Sequence, residues 1–141
     1  MEIDELYTDI VKEYSMVNYN QHHLNYPSIR MPGKNPSCGD EIELELKLTD
    51  GRIEDAAFTG IGCAISRASV NLMIDLVKGK SVEEAGQLTE IFLAMAKRED
   101  VSDADLEKLL DAAALQSVSN MPARVKCATM PWHTLSMALS Q

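Results

Sequence analysis

At 141 residues, 45% hydrophobic and 25% charged, the chain can bury a core without disulfide staples and is expected to form one domain over residues 1–141. Its formal charge of −9 argues against a nucleic-acid or anionic-membrane surface and favours a basic face on a partner protein. No apolar run is long enough to cross a membrane, and Met1-Glu2-Ile3-Asp4-Glu5-Leu6 is too acidic and interrupted for a secretory signal, so the expected setting is a reducing cytoplasm.

Residues 3 to about 17 place Ile3, Leu6, Tyr7, Ile10, Val11 and Tyr14 at helical spacing, which predicts an amphipathic N-terminal helix. The stretch from Asn18 to Gly33 is polar, carries Pro27 and Pro32, and reads as an irregular connection. Residues 41–48 alternate without a fault and predict a half-buried strand. Asp50-Gly51 supplies a tight turn, and Ile53 to Thr59 returns as the partner strand.

From Ile65 the period becomes helical through Ala68, Leu72, Met73 and Leu76, until Lys78-Gly79 stops it. Ser81-Val82-Glu83-Glu84 is a capping box that opens a helix to about Arg98. Asp103 can cap another, from about Ala104 to Val118. Pro122 and Pro131 are expected to break up the approach to a short last helix ending near Leu139. The class is α+β: a small antiparallel sheet with helices packed on one side. The eight methionines fall at core-like spacing, so packing is their expected role, and Trp132 is read as an anchor for the last helix or part of an interface.

The chemistry concentrates in three cysteines with unusual neighbours: Pro36-Ser37-Cys38-Gly39-Asp40, Gly60-Ile61-Gly62-Cys63 and Arg124-Val125-Lys126-Cys127. A lone intracellular cysteine is more often a small buried hydrophobe, but these contexts are not core sequences. Asp40 follows Cys38 by two residues, so an extended segment would aim both side chains the same way. Cys63 stands where a strand ends and a helix begins, where free amides favour an anion. Three thiolates and a carboxylate suit a tetrahedral zinc ion, and equally an iron–sulfur unit. No pair shows Cys-x-x-Cys spacing, and Cys127 has no place that the sequence can fix.

Asn35-Pro36-x-Cys38-Gly39-Asp40, Gly60-x-Gly62-Cys63-Ala64-Ile65-Ser66, and Arg124-x-Lys126-Cys127-Ala128 with Pro131-Trp132 resemble, in this order, the U-type iron–sulfur assembly proteins. The likeness covers nearly the whole chain and is strongest to the SufU branch. It implies a zinc-bearing protein that takes sulfur from a cysteine desulfurase and serves downstream iron–sulfur assembly proteins. It also implies Cys38, Asp40, Cys63 and Cys127 as metal ligands, with Cys38 as the sulfur acceptor. The related IscU branch, which scaffolds a [2Fe-2S] cluster, has histidine before its last cysteine and a Leu-Pro-Pro-Val-Lys motif upstream. Here Lys126 and Ser119-Asn120-Met121-Pro122-Ala123 stand in those places, and residues 79–120 form a longer region. These departures favour sulfur transfer, with the [2Fe-2S] scaffold as the alternative.

Arg124 is the candidate cation for steering the acceptor thiol or the incoming persulfide, with Lys126 and Arg67 weaker candidates for the same task. His22 and His23 lie in a polar loop and can bind metal in principle, although the four-ligand set is complete without them. His133 is expected on a helix surface.

Overall fold

The computed structural model describes residues 3–141, with side chains from Asp9 onward. The first helix, α1, spans Ile3–Met16 as its periodicity predicts. Val11 is buried and Ile10 and Tyr14 are half-buried, while the expectations for Ile3, Leu6 and Tyr7 fall on side chains outside the described residues.

The faultless alternation yields β2, Asp40–Thr49, which buries Ile42, Leu44 and Leu46 on one face. It runs antiparallel to β3, Arg52–Ile61, through a two-residue turn. Asp50 and Gly51 both take left-handed backbone, with φ of +52° and +76°, which matches the right-handed twist of the strands they join.

The expected irregular connection contains a third strand. Ile29–Asn35 forms β1 and pairs antiparallel with β2, giving the sheet order β1-β2-β3. Pro32 had argued against a strand. It is tolerated because β1 is an edge strand, where a missing N–H breaks no second ladder. The rest of the segment is a strap across the sheet's outer face. It starts at β3, where Phe58 N–H donates to the Asn20 carbonyl (3.0 Å), and ends beside β2, where Ser28 N–H donates to the Leu46 carbonyl (2.8 Å). Beneath it Glu45 is fully buried, accepting from Leu24 N–H (3.3 Å) and bonded to His23 Nδ1 (2.6 Å).

Helices α2 (Ala64–Val77) and α5 (Pro122–Leu139) lie against the inner face, with α3 (Val82–Ala96) packed on α5 and α4 (Asp103–Lys108) packed on α3. Together with the inner faces of β2 and β3 they enclose one core, in which Leu44, Leu46, Met73, Phe92, Leu115 and Trp132 are buried. The fold is thus α+β, with a three-stranded antiparallel sheet and helices on one side. No described helix is long and apolar enough to cross a membrane.

Three boundaries differ from expectation. Ser102, rather than Asp103, caps α4, its hydroxyl accepting from Asp105 N–H at 3.1 Å. The expected helix to Val118 breaks at Leu110, whose φ is +52°, and continues as a 3₁₀ segment over Leu110–Val118. The break lets Leu109 and then Ala112, Leu115 and Val118 all reach the core. The C-terminal helix is long and unbroken: Pro122 sits at its start, where no intrahelical donor is needed, and Pro131 lies inside it. Tertiary contacts hold that interior proline in place. Ser69 Oγ on α2 donates to the Ala128 carbonyl (2.5 Å) and accepts from Trp132 Nε1 (2.9 Å), while the Trp132 ring stacks on Phe92 at 4.1 Å. Trp132 is therefore an anchor of the last helix. Among the methionines, Met73, Met95 and Met130 pack in the core, whereas Met16, Met121 and Met137 are exposed.

Candidate metal centre

One end of the sheet gathers all three cysteines. The β1–β2 hairpin closes on the Asn35–Asp40 pair, with Pro36-Ser37-Cys38-Gly39 as its loop. Cys38 N–H donates to the Asn35 carbonyl at 3.2 Å, and Gly39 takes φ +72°. Cys38 therefore rides on a turn and not on the extended segment expected from its spacing to Asp40. The turn leaves Cys38 exposed at the tip and Asp40 buried at the root.

The β3–α2 junction is shaped by two glycines. Gly60 takes φ +127°, and a side chain there would meet the Glu41 carbonyl oxygen at 2.2 Å. A Cβ on Gly62 would fall 2.2 Å from Ser66 Oγ and 3.2 Å from Asp40 Oδ1. Cys63 then occupies the N-cap of α2, as the strand-to-helix reading predicts. Its backbone N–H donates to Asp40 Oδ1 at 2.9 Å, so the free amide of the helix start meets a carboxylate.

Cys127 arrives on α5, one turn before Pro131, and is buried. Its Sγ lies 3.1 Å from Cys38 Sγ, with which it shares a hydrogen bond. Asn35, at the end of β1, is the functional neighbour that sequence reasoning missed. It is buried, and its side-chain amide donates to Asp40 Oδ2 (3.2 Å) and to Cys127 Sγ (3.6 Å). A polar side chain directly before Pro36, at a strand end facing the cysteine loop, was the signal available for it. Each Asp40 oxygen thus accepts one hydrogen bond, from Asn35 and from Cys63, which fixes the carboxylate before any metal is considered.

Donor atoms of Cys38, Asp40 and Cys127 all lie within 4.8 Å of one another. Cys63 stands outside that tightest group and is tied to it by its backbone N–H on Asp40. Burial, more than any other effect, pushes the Cys127 thiol far above its ordinary range; the hydrogen bond with Cys38 and the nearby Cys63 and Asp40 add to it. As thiolates, these groups repel one another in a site with little solvent, and a bound cation removes that conflict. Two soft sulfurs and one hard oxygen converge here, and with Cys63 nearby the donor chemistry suits zinc and also fits iron.

The remaining candidates disperse. Arg124 is exposed on the first turn of α5, one turn before Cys127, and its side chain makes no hydrogen bond or ion pair among the described residues. Lys126 is exposed and lines a groove beside β1, and Arg67 is exposed on α2. His23, Glu43 and Glu45 also bring donor atoms within 4.8 Å, but His23 already bonds Glu45 and holds the strap. His22 is exposed, and among the described residues its ring is hydrogen-bonded only to the neighbouring His23 carbonyl (3.1 Å). His133 is exposed on α5 as expected; burial and Lys97 lower its pKa.

Comparison with known proteins gives one consistent picture. The NifU-like N-terminal domain model matches residues 15–138. The zinc-dependent sulfurtransferase SufU of Bacillus subtilis is 39% identical over 99% of this chain and 92% of its own. The iron–sulfur cluster assembly scaffold protein IscU of Thermotoga maritima is 38% identical over 96% of this chain and 94% of its own. A crystal structure of a SUF-system assembly protein from Fervidobacterium islandicum, named as a scaffold, superposes with a TM-score of 0.87. It shares 33% identity, over 96% of this chain and 97% of that one.

Proposed function

We propose, from the premise that this chain belongs to the NifU-like N-terminal domain family of U-type iron–sulfur assembly proteins, that it is a cytoplasmic zinc-dependent sulfur carrier. On this reading it accepts sulfur on Cys38 from a cysteine desulfurase and passes it into iron–sulfur cluster assembly. The observation that carries the reading is the position of Cys38: an exposed thiol at a hairpin tip, with its Sγ 3.1 Å from the buried Cys127.

Cys38, Asp40, Cys63 and Cys127 would hold the zinc. Bound there, zinc would keep the sulfurs deprotonated near neutral pH and shield them from oxidation. The division of labour follows burial. Cys127 and Asp40 are fixed by packing and hydrogen bonds, and Cys63 by its place at the start of α2. Cys38 has solvent on one side and the left-handed Gly39 beside it, with open space around that glycine, so its loop can move toward a partner.

Cys38 Sγ attacks the outer sulfur of the desulfurase persulfide. A sulfur–sulfur bond forms on Cys38, the partner's own sulfur–sulfur bond breaks, and the partner cysteine leaves as its thiolate. No net oxidation occurs, as in thiol–disulfide exchange. Arg124, on the first turn of α5, is assigned to offset the anionic centre during this attack. Replacing Arg124 with Ala is expected to slow transfer and leave metal content unchanged.

The similarity to proteins named as scaffolds supports a second reading, in which the same residues hold a [2Fe-2S] cluster. Elemental analysis separates the two. Colourless protein with about one zinc per chain, the stoichiometry of a single tetrahedral site, supports transfer. Brown protein with paired iron and sulfide supports scaffolding. In a desulfurase turnover assay Cys38→Ser is expected to lose all stimulation; full stimulation by that variant would overturn the transfer reading.

A further inference from the structure

Between β1 and α5 runs a groove of about 490 Å³ beside the metal centre. Its lining combines apolar Pro32, Met130 and Met137 with Lys34, Lys126 and His133. Among the described residues no carboxylate lines it, on a chain whose net charge is −9. Lys126 has no ion pair among the described residues. The single ion pair seen for Lys34, with Glu41 at 3.6 Å, joins two mostly exposed side chains and holds it weakly.

Four consecutive residues of β1, Pro32 to Asn35, form one wall, so backbone as well as side chains faces the groove. At about 3.3 Å per residue that wall is long for a single carboxylate and suits an extended peptide. β1 is an edge strand, and among the described residues no hydrogen bond engages its outer side.

We propose that this groove docks an extended acidic segment of a partner protein, laid along the β1 edge with its carboxylates against Lys34 and Lys126. Pro32 offers a carbonyl but no donor, so charge and the apolar side chains of the lining set the affinity more than a full strand ladder does. His133 already fits such an occupant: burial and Lys97 keep its imidazole below the ordinary range, and a carboxylate beside it reverses that effect. Asn35 couples the two sites, because it lines the groove and also donates to Asp40 and Cys127. The docking goes beyond sulfur transfer and does not depend on it.

The test is an NMR titration of the full, metal-loaded chain with a synthetic peptide alternating Glu and Val, using a Lys–Val peptide as control. Expected are shifts confined to residues 32–35 and the groove face of α5, a rise in the His133 pKa, and weakening with salt. Lys34→Glu and Lys126→Glu together are expected to weaken binding at least about tenfold. Lys34→Glu alone, away from the cysteines, should show part of that loss with unchanged metal content, which guards against damage to the centre. Equal binding of the Lys–Val peptide, or shifts centred elsewhere, would overturn the proposal. So would acetate reproducing every shift, which would make the groove a simple anion site. Altered self-association of the groove variants in sedimentation, with unchanged peptide binding, would assign the groove to a second copy of the chain and likewise overturn it.

Discussion

The two ends of the β2–β3 hairpin are both built on left-handed glycine, yet they are opposite in character. At the far end Asp50-Gly51 turns the chain locally, and nothing lies within 4 Å of where a Gly51 side chain would stand. At the metal end Gly60 and Gly62 are pressed against Glu41, Ser66 and Asp40, and the contacts join residues 23, 89 and 92 positions apart. One end is a property of a dipeptide. The other is a property of the assembled fold, and only there does chemistry become available.

The sharpest way to break this contrast is to remove the carboxylate at the metal end. Asp40→Ala is expected to weaken zinc retention about a hundredfold or more, read by chelator competition, because it removes both a proposed ligand and the acceptor for Cys63 N–H. Unchanged zinc content would show that Asp40 is no ligand. Next comes Gly60→Ala, which places a side chain on the Glu41 carbonyl at φ +127° and is expected to cost about 2–4 kcal/mol in denaturant unfolding. The matching change at the other end, Gly51→Ala, should cost only about 1 kcal/mol and leave metal content alone. If the two substitutions cost the same, the contrast between the ends fails.

The same contrast explains what the sequence made legible. β2, the Asp50-Gly51 turn, β3, α2 and α3 declare themselves through local period, turn and cap signals. Ser81 does accept from Glu84 N–H at 3.0 Å, as its capping box predicts. β1 was hidden because Pro32 and Gly33 look like breakers. Gly33 is required there because α5 lies directly on it: a Cβ would sit 2.1 Å from Thr134 Oγ1. The continuity of α5 through Pro131 was hidden for a related reason, since the clamp of Ser69 on Ala128 and Trp132 is a contact between distant helices. At the site, the neighbours of the three cysteines were informative, but the delivery of Cys127 and the bridging role of Asn35 needed the fold.

Two smaller effects sharpen the account of the metal end. Asn35→Ala is expected to weaken metal retention about tenfold, as losing a bond that orients a ligand commonly does, with Cys38 exposure unchanged. A pH effect should also separate metal-free from loaded protein. The fold raises the Cys127 pKa above its ordinary 9.0, chiefly through burial. A raised pKa means the neutral thiol is favoured in the folded state, so that contribution is intact below pH 9 and is lost as pH climbs beyond it. Metal-free protein should therefore lose stability above about pH 9 in thermal melts, while metal-loaded protein, already holding thiolates, should change little over the same range. Identical pH profiles for the two forms would contradict a cation shared by these sulfurs.

The central claim is that the exposed thiol at the hairpin tip receives the sulfur while Cys63 and Cys127 serve only to hold the metal. Peptide mapping by mass spectrometry after incubation with a cysteine desulfurase and free cysteine tests it directly. The account predicts one added sulfur on the peptide carrying Cys38, and none on those carrying Cys63 or Cys127. Added sulfur on Cys63 or Cys127 with Cys38 unmodified, or persulfide formation that survives Cys38→Ser, would contradict it.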